Sequence, residues 1–246
     1  MLMALIGALA VIFVAYKLAE SYGADDLIML NATLFAGIGV ILGGHLLFGI
    51  TNIKHFGAVF SKVDGVESFL SAVKSLFGGS VFYGGLLGAM LAVVIYLKLK
   101  KVRVLTYTDV LAPCIPMFHF FGRLGCFLSG CCFGVECSVG FVYENAAVPM
   151  ANGVRRFPVQ LVEAVLNLAL CVVLFYLLKK RRCKGRLINI YLAVYPVYRF
   201  ILEYFRGDDY RGFLFGLSTS QLISLLLLVA NGAFMLYSYM KGRKKV

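Results

Sequence analysis

The sequence predicts an all-α integral membrane fold, and three observations carry that prediction. Only 15% of the residues are charged, against roughly 25% in soluble domains, while 61% are hydrophobic and the mean hydropathy is +0.88. Seven apolar runs approach or exceed the ~20 residues that a helix needs to cross a bilayer. They cover residues 1–18, 27–50, 81–97, 105–128, 158–178, 187–205 and 219–240. The basic residues collect between these runs rather than inside them. Helices are the expected solution, because lipid offers no partner to an unpaired backbone group. The strands of a membrane barrel would alternate apolar and polar residues, and these runs do not.

The first run opens at Met1 without basic residues, so it reads as a first span rather than a signal peptide; its shortness also fits a start placed slightly too late. The second carries His45 in Gly43-Gly44-His45-Leu46. Between 51 and 80 the apolar residues of 63–77 recur at helical spacing, which predicts a short helix lying at the interface. Gly78-Gly79-Ser80-Val81-Phe82-Tyr83-Gly84-Gly85 opens the third run, and its glycines suit close helix packing. The fourth contains Asp109, Pro113, Pro116 and His119 before Gly122-Arg123-Leu124-Gly125-Cys126, so it should bend. Pro149, Asn152 and Gly153 mark turns in the loop that follows. Pro158 suits the start of the fifth helix, with Gln160 and Glu163 a turn inside it. Neither a linker nor an internal repeat interrupts 1–246, which predicts a single polytopic domain.

The net charge of +12 invites a nucleic-acid reading, but its distribution argues against one. The clusters are Lys98, Lys100, Lys101 and Arg103; Lys179, Lys180, Arg181, Arg182, Lys184 and Arg186; and Lys241, Arg243, Lys244 and Lys245. Flanking clusters of this kind mark cytoplasmic loops. They predict an amino end outside and a carboxyl end in the cytoplasm. The loops 19–26, 98–104 and 179–186 are then cytoplasmic, and 51–80, 129–157 and 206–218 face out.

Charges inside the runs are candidates for chemistry, since each costs roughly 2.5–3.5 kcal/mol on insertion scales. In the sixth run Tyr195, Arg199 and Glu203 recur every four residues and Arg206 follows, which puts all four on one helical face. Arg199 and Glu203 are spaced to pair. Arg123 has the forked donors that suit phosphate, and Gly122 and Gly125 clear space beside it. A plain snorkelling arginine is the alternative. Cys126, Cys131, Cys132 and Cys137 lack a CxxC pair, which weakens a zinc reading. A disulfide or simple apolar packing ranks ahead of a reactive thiol, and a metal last; Cys114 and Cys171 read as packing residues.

Taken in order, 78–88, Asp109-Val110-Leu111-Ala112-Pro113, 122–130, 158–163, 198–206 and 212–221 resemble the bacterial prolipoprotein diacylglyceryl transferase family over nearly the whole chain. The resemblance implies a multi-pass enzyme of the bacterial cytoplasmic membrane, surrounded by membrane lipids, with no metal, organic cofactor or nucleic-acid partner. It implies transfer of diacylglyceryl from phosphatidylglycerol to the lipobox cysteine of a preprolipoprotein, releasing glycerol phosphate. Arg199, Glu203, Tyr195 and Tyr83 would then be the catalytic set. Arg123, Arg206, Gly122, Gly125, Cys126, Gln160 and Glu163 would bind the phospholipid.

The chain departs from the family pattern at several places. Tyr83 stands where the family has the histidine of His-Gly-Gly, and tyrosine, with a pKa of about 10, is a poor base at neutral pH. Cys126 replaces an asparagine, His45 an arginine and Phe157 a histidine, and the chain has no tryptophan. Two other readings therefore stand beside the first. One is a paralogue with a different acceptor, or with Cys126 as a covalent relay. The other is a phospholipid-binding membrane protein without activity.

Overall fold

In a computed structural model, the description covers residues 2–61, 63–208, 213, 214 and 216–243. Met1, Gly212, Phe215, Lys244 and Lys245, on which parts of the sequence reading fell, lie outside the described residues.

The chain is mostly helical. In order it forms α1 (Leu2–Ala19), α2 (Asp26–Thr51), α3 (Phe56–Phe60), α4 (Val66–Phe77), α5 (Phe82–Leu99), α6 (Val104–Leu111) and α7 (Cys114–Ser129). Then come β1 (Glu136–Val142), β2 (Arg155–Arg156), α8 (Val159–Lys179), α9 (Leu187–Leu202), β3 (Phe213–Leu214), β4 (Leu217–Ser218) and α10 (Thr219–Arg243). Six segments among the described residues are long and apolar enough to cross a membrane: 2–22, 26–51, 82–99, 104–129, 159–179 and 219–241. The sixth expected span is shorter than drawn from sequence, because α9 stops after 16 residues and tightens into a 3₁₀ turn, Glu203–Phe205. The fourth run is interrupted at its first proline, dividing into α6 and α7 with Pro113 just before α7.

The structure divides into two compact units, residues 24–104 and residues 1–23 with 105–246. In the smaller one, α2 and α5 pack backbone to backbone. A methyl group on Gly43 would run into the Gly84 carbonyl, and one on Gly39 into the Gly88 carbonyl. The same clashes arise in reverse from Gly84 and Gly88. Small residues four apart on both helices are what allow this approach. His45 of α2 ties down the segment that leads into α5, with Nδ1 lying 2.7 Å from the Phe77 carbonyl and 2.8 Å from that of Gly79. Two carbonyls on one ring nitrogen make that nitrogen the protonated donor. The expected short helix of the 51–80 loop is α4, amphipathic, with Ala72 and Leu76 buried and Val66, Phe69 and Leu70 exposed.

In the larger unit, α1 packs on α7, α7 on α8, α8 on α9, and α9 on α10. Asp109 of α6 closes the start of α9. Its carboxylate accepts from the backbone N–H of Gly185 and, at 3.1 Å, of Leu187. The Leu187 N–H is one of the donors that a helix N-terminus leaves unpaired, and Gly185 lies just ahead of the N-cap, Arg186. Asn189 of α9 and Asn231 of α10 hold each other by two hydrogen bonds of 2.8 and 3.0 Å. The loop 129–157, in which the sequence marked turns at Pro149, Asn152 and Gly153, also contains the β1–β2 pairing, whose register slips between Glu136 and Phe141. Arg156 anchors this loop from within. It is buried, donates to the carbonyls of Met150 (2.6 Å), Ala151 and Gly134, and lies over the Phe133 ring.

Candidate active site

The charged residues singled out from α7, α8 and α9 meet in the larger unit. Arg123 does not snorkel. Its Nη2 lies 2.9 Å from Glu163 Oε1, and its side chain is only 14% exposed. The same carboxylate oxygen is 4.0 Å from Nε of Arg199, so Glu163 stands between two guanidiniums. Arg199 in turn reaches Glu203 Oε2 with Nη2 at 2.7 Å, the pair that four-residue spacing predicted. Nη2 also approaches Ser220 Oγ at 3.3 Å, while Nη1 is buried and has no hydrogen-bond partner among the described residues. A buried guanidinium with a donor left over is an anion site in waiting, since an unmet buried donor costs ~1–3 kcal/mol, more for a charged group.

A polar network orients this cluster from below. Asn167, one turn after Glu163 on α8, donates to the Glu163 carbonyl at 2.8 Å. Its own side-chain oxygen accepts from Tyr198 at 2.9 Å and lies 3.3 Å from Nδ1 of His119. Tyr195 is buried between Tyr191, which stacks on it at 5.4 Å, and His119 at 5.1 Å. It belongs to the wall of the cluster, on the α9 face that carries Arg199.

Gln160, one turn before Glu163, donates from Nε2 to the Cys131 carbonyl at 2.9 Å and to the Tyr143 hydroxyl at 3.3 Å. Its Oε1 is buried without a partner among the described residues. Gln160 thus joins α8 to the loop that follows α7. Burial holds the Tyr143 hydroxyl above its ordinary pKa, partly offset by the hydrogen bond from Gln160.

Two sequence expectations change. Arg206 does not share the helical face of Tyr195, Arg199 and Glu203. The helix has ended by then, and Arg206 is extended (φ −87°, ψ 137°), in a bridge with Gly134. It grips Asp208 with two hydrogen bonds, of 2.9 and 2.6 Å, which raise its pKa against the opposing effect of burial. Backbone bonds from Gly207 to Phe133 (3.0 Å) and from Val135 to Phe205 (3.0 Å) join its segment to the loop that follows α7. Gly125, expected to clear space for Arg123, packs against α1 instead, where a methyl would come within 3.2 Å of Met3 Cβ. Gly122 does face open space.

Cys126 lies one turn beyond Arg123, and its thiol gathers with those of Cys131 and Cys132, all within 4.8 Å of one another. All three are free and half-buried. Cys137 stands apart and bonds to the Val139 carbonyl. Tyr83 is buried on α5, in the smaller unit, edge-on to Phe82. Asn167, Tyr198, Ser220, Asp208 and Tyr143 were not foreseen. Of these only Asn167 had a signal, since positions 160, 163 and 167 continue one polar face of α8.

Fold and site together define a multi-pass helical membrane protein with a charge-balanced arginine–carboxylate cluster buried among its helices. A profile of the prolipoprotein diacylglyceryl transferase family matches residues 1–237, and the chain belongs to that family. It is 33% identical over 226 residues to a phosphatidylglycerol–prolipoprotein diacylglyceryl transferase of Clostridium tetani, covering 91% of this chain and 86% of that one. It is 34% identical over 231 residues to phosphatidylglycerol–prolipoprotein diacylglyceryl transferase 2 of Clostridium perfringens, with 92% and 84% covered. An Idiomarina loihiensis protein of the same name is 36% identical over 199 residues, covering 78% and 69%.

Proposed function

We propose that the protein transfers diacylglyceryl from phosphatidylglycerol to the thiol of a lipobox cysteine in a preprolipoprotein, in the bacterial cytoplasmic membrane. The observation that carries this reading is the pair of buried arginines, Arg123 and Arg199, bridged by Glu163. The whole chain would act as one membrane domain of seven spans, α9 and its 3₁₀ turn included, with the amino end outside and the carboxyl end cytoplasmic. That orientation rests on the basic clusters.

In the reaction a carbon–sulfur bond forms at the glyceryl carbon as its bond to the phosphate oxygen breaks. The electron pair leaves on that oxygen and glycerol phosphate departs. The thiol proton must be lost, since the thiolate is the nucleophile. Negative charge therefore builds on phosphate, and fixed guanidiniums in a dry site are worth most at that point. Arg199 offers its spare Nη1 to the leaving phosphate, held in place by Glu203. Arg123 binds the headgroup, with the open space at Gly122 beside it. Glu163 sets both guanidiniums, Gln160 and Tyr195 shape the wall, and Arg206 with Asp208 closes the end near Cys132. Membership in the family, rather than geometry, is what assigns Tyr83 a part, as a hydrogen-bond donor.

The test is glycerol phosphate release by the purified protein in micelles containing phosphatidylglycerol and a lipobox peptide. Release that needs both the peptide cysteine and Arg199 is expected. Release that is unchanged in Arg199→Ala, or that proceeds without peptide, would sink the proposed mechanism or the proposed acceptor respectively.

A further inference from the structure

The phosphate chemistry proposed for the arginines needs no thiol, so a cluster of three calls for a reason beyond the place of Cys126 near the phospholipid. The three thiols come together through particular local geometry. Gly130 (φ +66°) ends α7, and a methyl there would run into Ala146, so the chain must turn tightly after the helix. Cys132 then adopts φ +56°, a conformation uncommon for a residue with a side chain. The Cys131 carbonyl is fixed by Gln160, and its thiol lies 3.3 Å from Ser129 Oγ. The result is one sulfur from the last turn of α7 and two from the loop, all within 4.8 Å.

We propose that Cys126, Cys131 and Cys132 form a three-thiolate site for a thiophilic d10 dication, Zn²⁺ in kind. Sulfurs bound at ~2.3 Å around one ion stand about 3.8–4 Å apart, so the observed cluster closes on an ion with shifts below an ångström. The surroundings favour this over three bare thiolates. Arg123, Arg199 and Arg206 are matched by Glu163, Glu203 and Asp208, so the neighbouring charges already balance. Three thiolates around Zn²⁺ carry a net −1, whereas the same three around a monocation carry −2. Binding releases three protons, one from each thiol, as Zn²⁺ replaces them.

With three protein sulfurs, Zn²⁺ keeps a fourth position open. A thiol that enters it is deprotonated on binding, its proton passing to water. This second step rests on the transferase reading. It supplies the thiolate that the reaction needs, one helical turn from Arg123, where Glu163 and Glu203 are committed to arginines.

The experiment loads the full-length protein, reduced and in detergent, with Zn²⁺ or with Cd²⁺ as a spectroscopic probe. One equivalent should bind, with the ultraviolet thiolate–Cd²⁺ band. Cys126→Ser and Cys132→Ser should each weaken binding by about 100-fold or more, since loss of an outer-shell partner alone costs 10–100-fold. Cys137→Ser and Cys183→Ser should bind as wild type. Stoichiometry well below one, equal binding in the Cys126→Ser and Cys132→Ser variants, or a disulfide among the three in protein purified without reductant would each overturn the site.

A lipobox peptide should then raise the Cd²⁺ band by about a third, as a fourth sulfur joins three, and its Cys→Ser version should not. No change would restrict the ion to a structural role and overturn the second step alone. Binding is read without turnover. An inactive protein that binds one equivalent therefore refutes the transferase, and an active one that binds none refutes the site.

Discussion

Among the described residues, Arg199 turns two of its three nitrogens toward carboxylates and keeps the third, buried, without a hydrogen-bond partner. Nε faces Glu163, Nη2 faces Glu203 and Ser220, and Nη1 is left over. A lysine would keep the charge but lose the planar fork that serves three directions at once. Arg199→Lys is therefore expected to lower turnover almost as far as Arg199→Ala, on the order of 100–1,000-fold, the range for removing one donor from a developing oxyanion. Equal rates for Arg199→Lys and wild type in the release assay would show that charge alone suffices.

Glu163 carries the opposite burden. Glu163→Gln leaves Arg123 and Arg199 facing each other across an amide, and breaking a buried pair in this way costs about 3–5 kcal/mol. A marked fall in the thermal midpoint in detergent is expected, partly recovered in the double variant with Arg123→Gln, which restores the balance. Residue-scale features of this kind were legible where a charge interrupts an apolar run, because burial of a charge demands a reason. Ser220, Asp208 and Tyr143 gave no such signal, since uncharged or loop residues are unremarkable in sequence.

At the scale of elements, the helices followed from long apolar stretches, and their ends shifted by only a few residues. What sequence could not show is where the helical period stops. Arg206 fits a face only if α9 continues. The chain instead tightens into the 3₁₀ turn at Glu203 and extends at Arg206. Pro196 has already removed one bond, to the Leu192 carbonyl, from that helix. The β1–β2 pairing was equally hidden, because its partner strand is two residues long and is held by Arg156 rather than by an alternating pattern.

The α2–α5 contact, by contrast, was partly written in glycines. Its backbone approach leaves no room for side chains at Gly39, Gly43, Gly84 or Gly88. Gly43→Leu should separate the two helices and lower both yield and thermal midpoint in detergent. Gly37→Leu, at a position with open space, should do neither. Comparing the two variants by size-exclusion profile and melting curve isolates the packing effect from the change in composition.

For the whole molecule, the prediction concerns sidedness. The basic clusters predict 179–186 in the cytoplasm and 129–157 outside, and each loop offers a free cysteine as a reporter, Cys183 in the first and Cys137, alongside Cys131 and Cys132, in the second. Cys183 is exposed and follows Arg181 and Arg182, the densest run of positive charge in the chain. Translocating such a run is what the positive-inside bias opposes. The proposed chemistry has the same requirement, because α7, α8 and the segment after α9 carry Arg123, Glu163 and Arg206 at their ends near the 129–157 loop. A lipobox cysteine must meet them there. In intact cells a membrane-impermeant maleimide should label a variant retaining only Cys137 and spare a variant retaining only Cys183, with both labelled after permeabilisation. The reverse pattern would turn the molecule over. The cluster would then open to the cytoplasm, and the acceptor would have to be modified before it crosses the membrane.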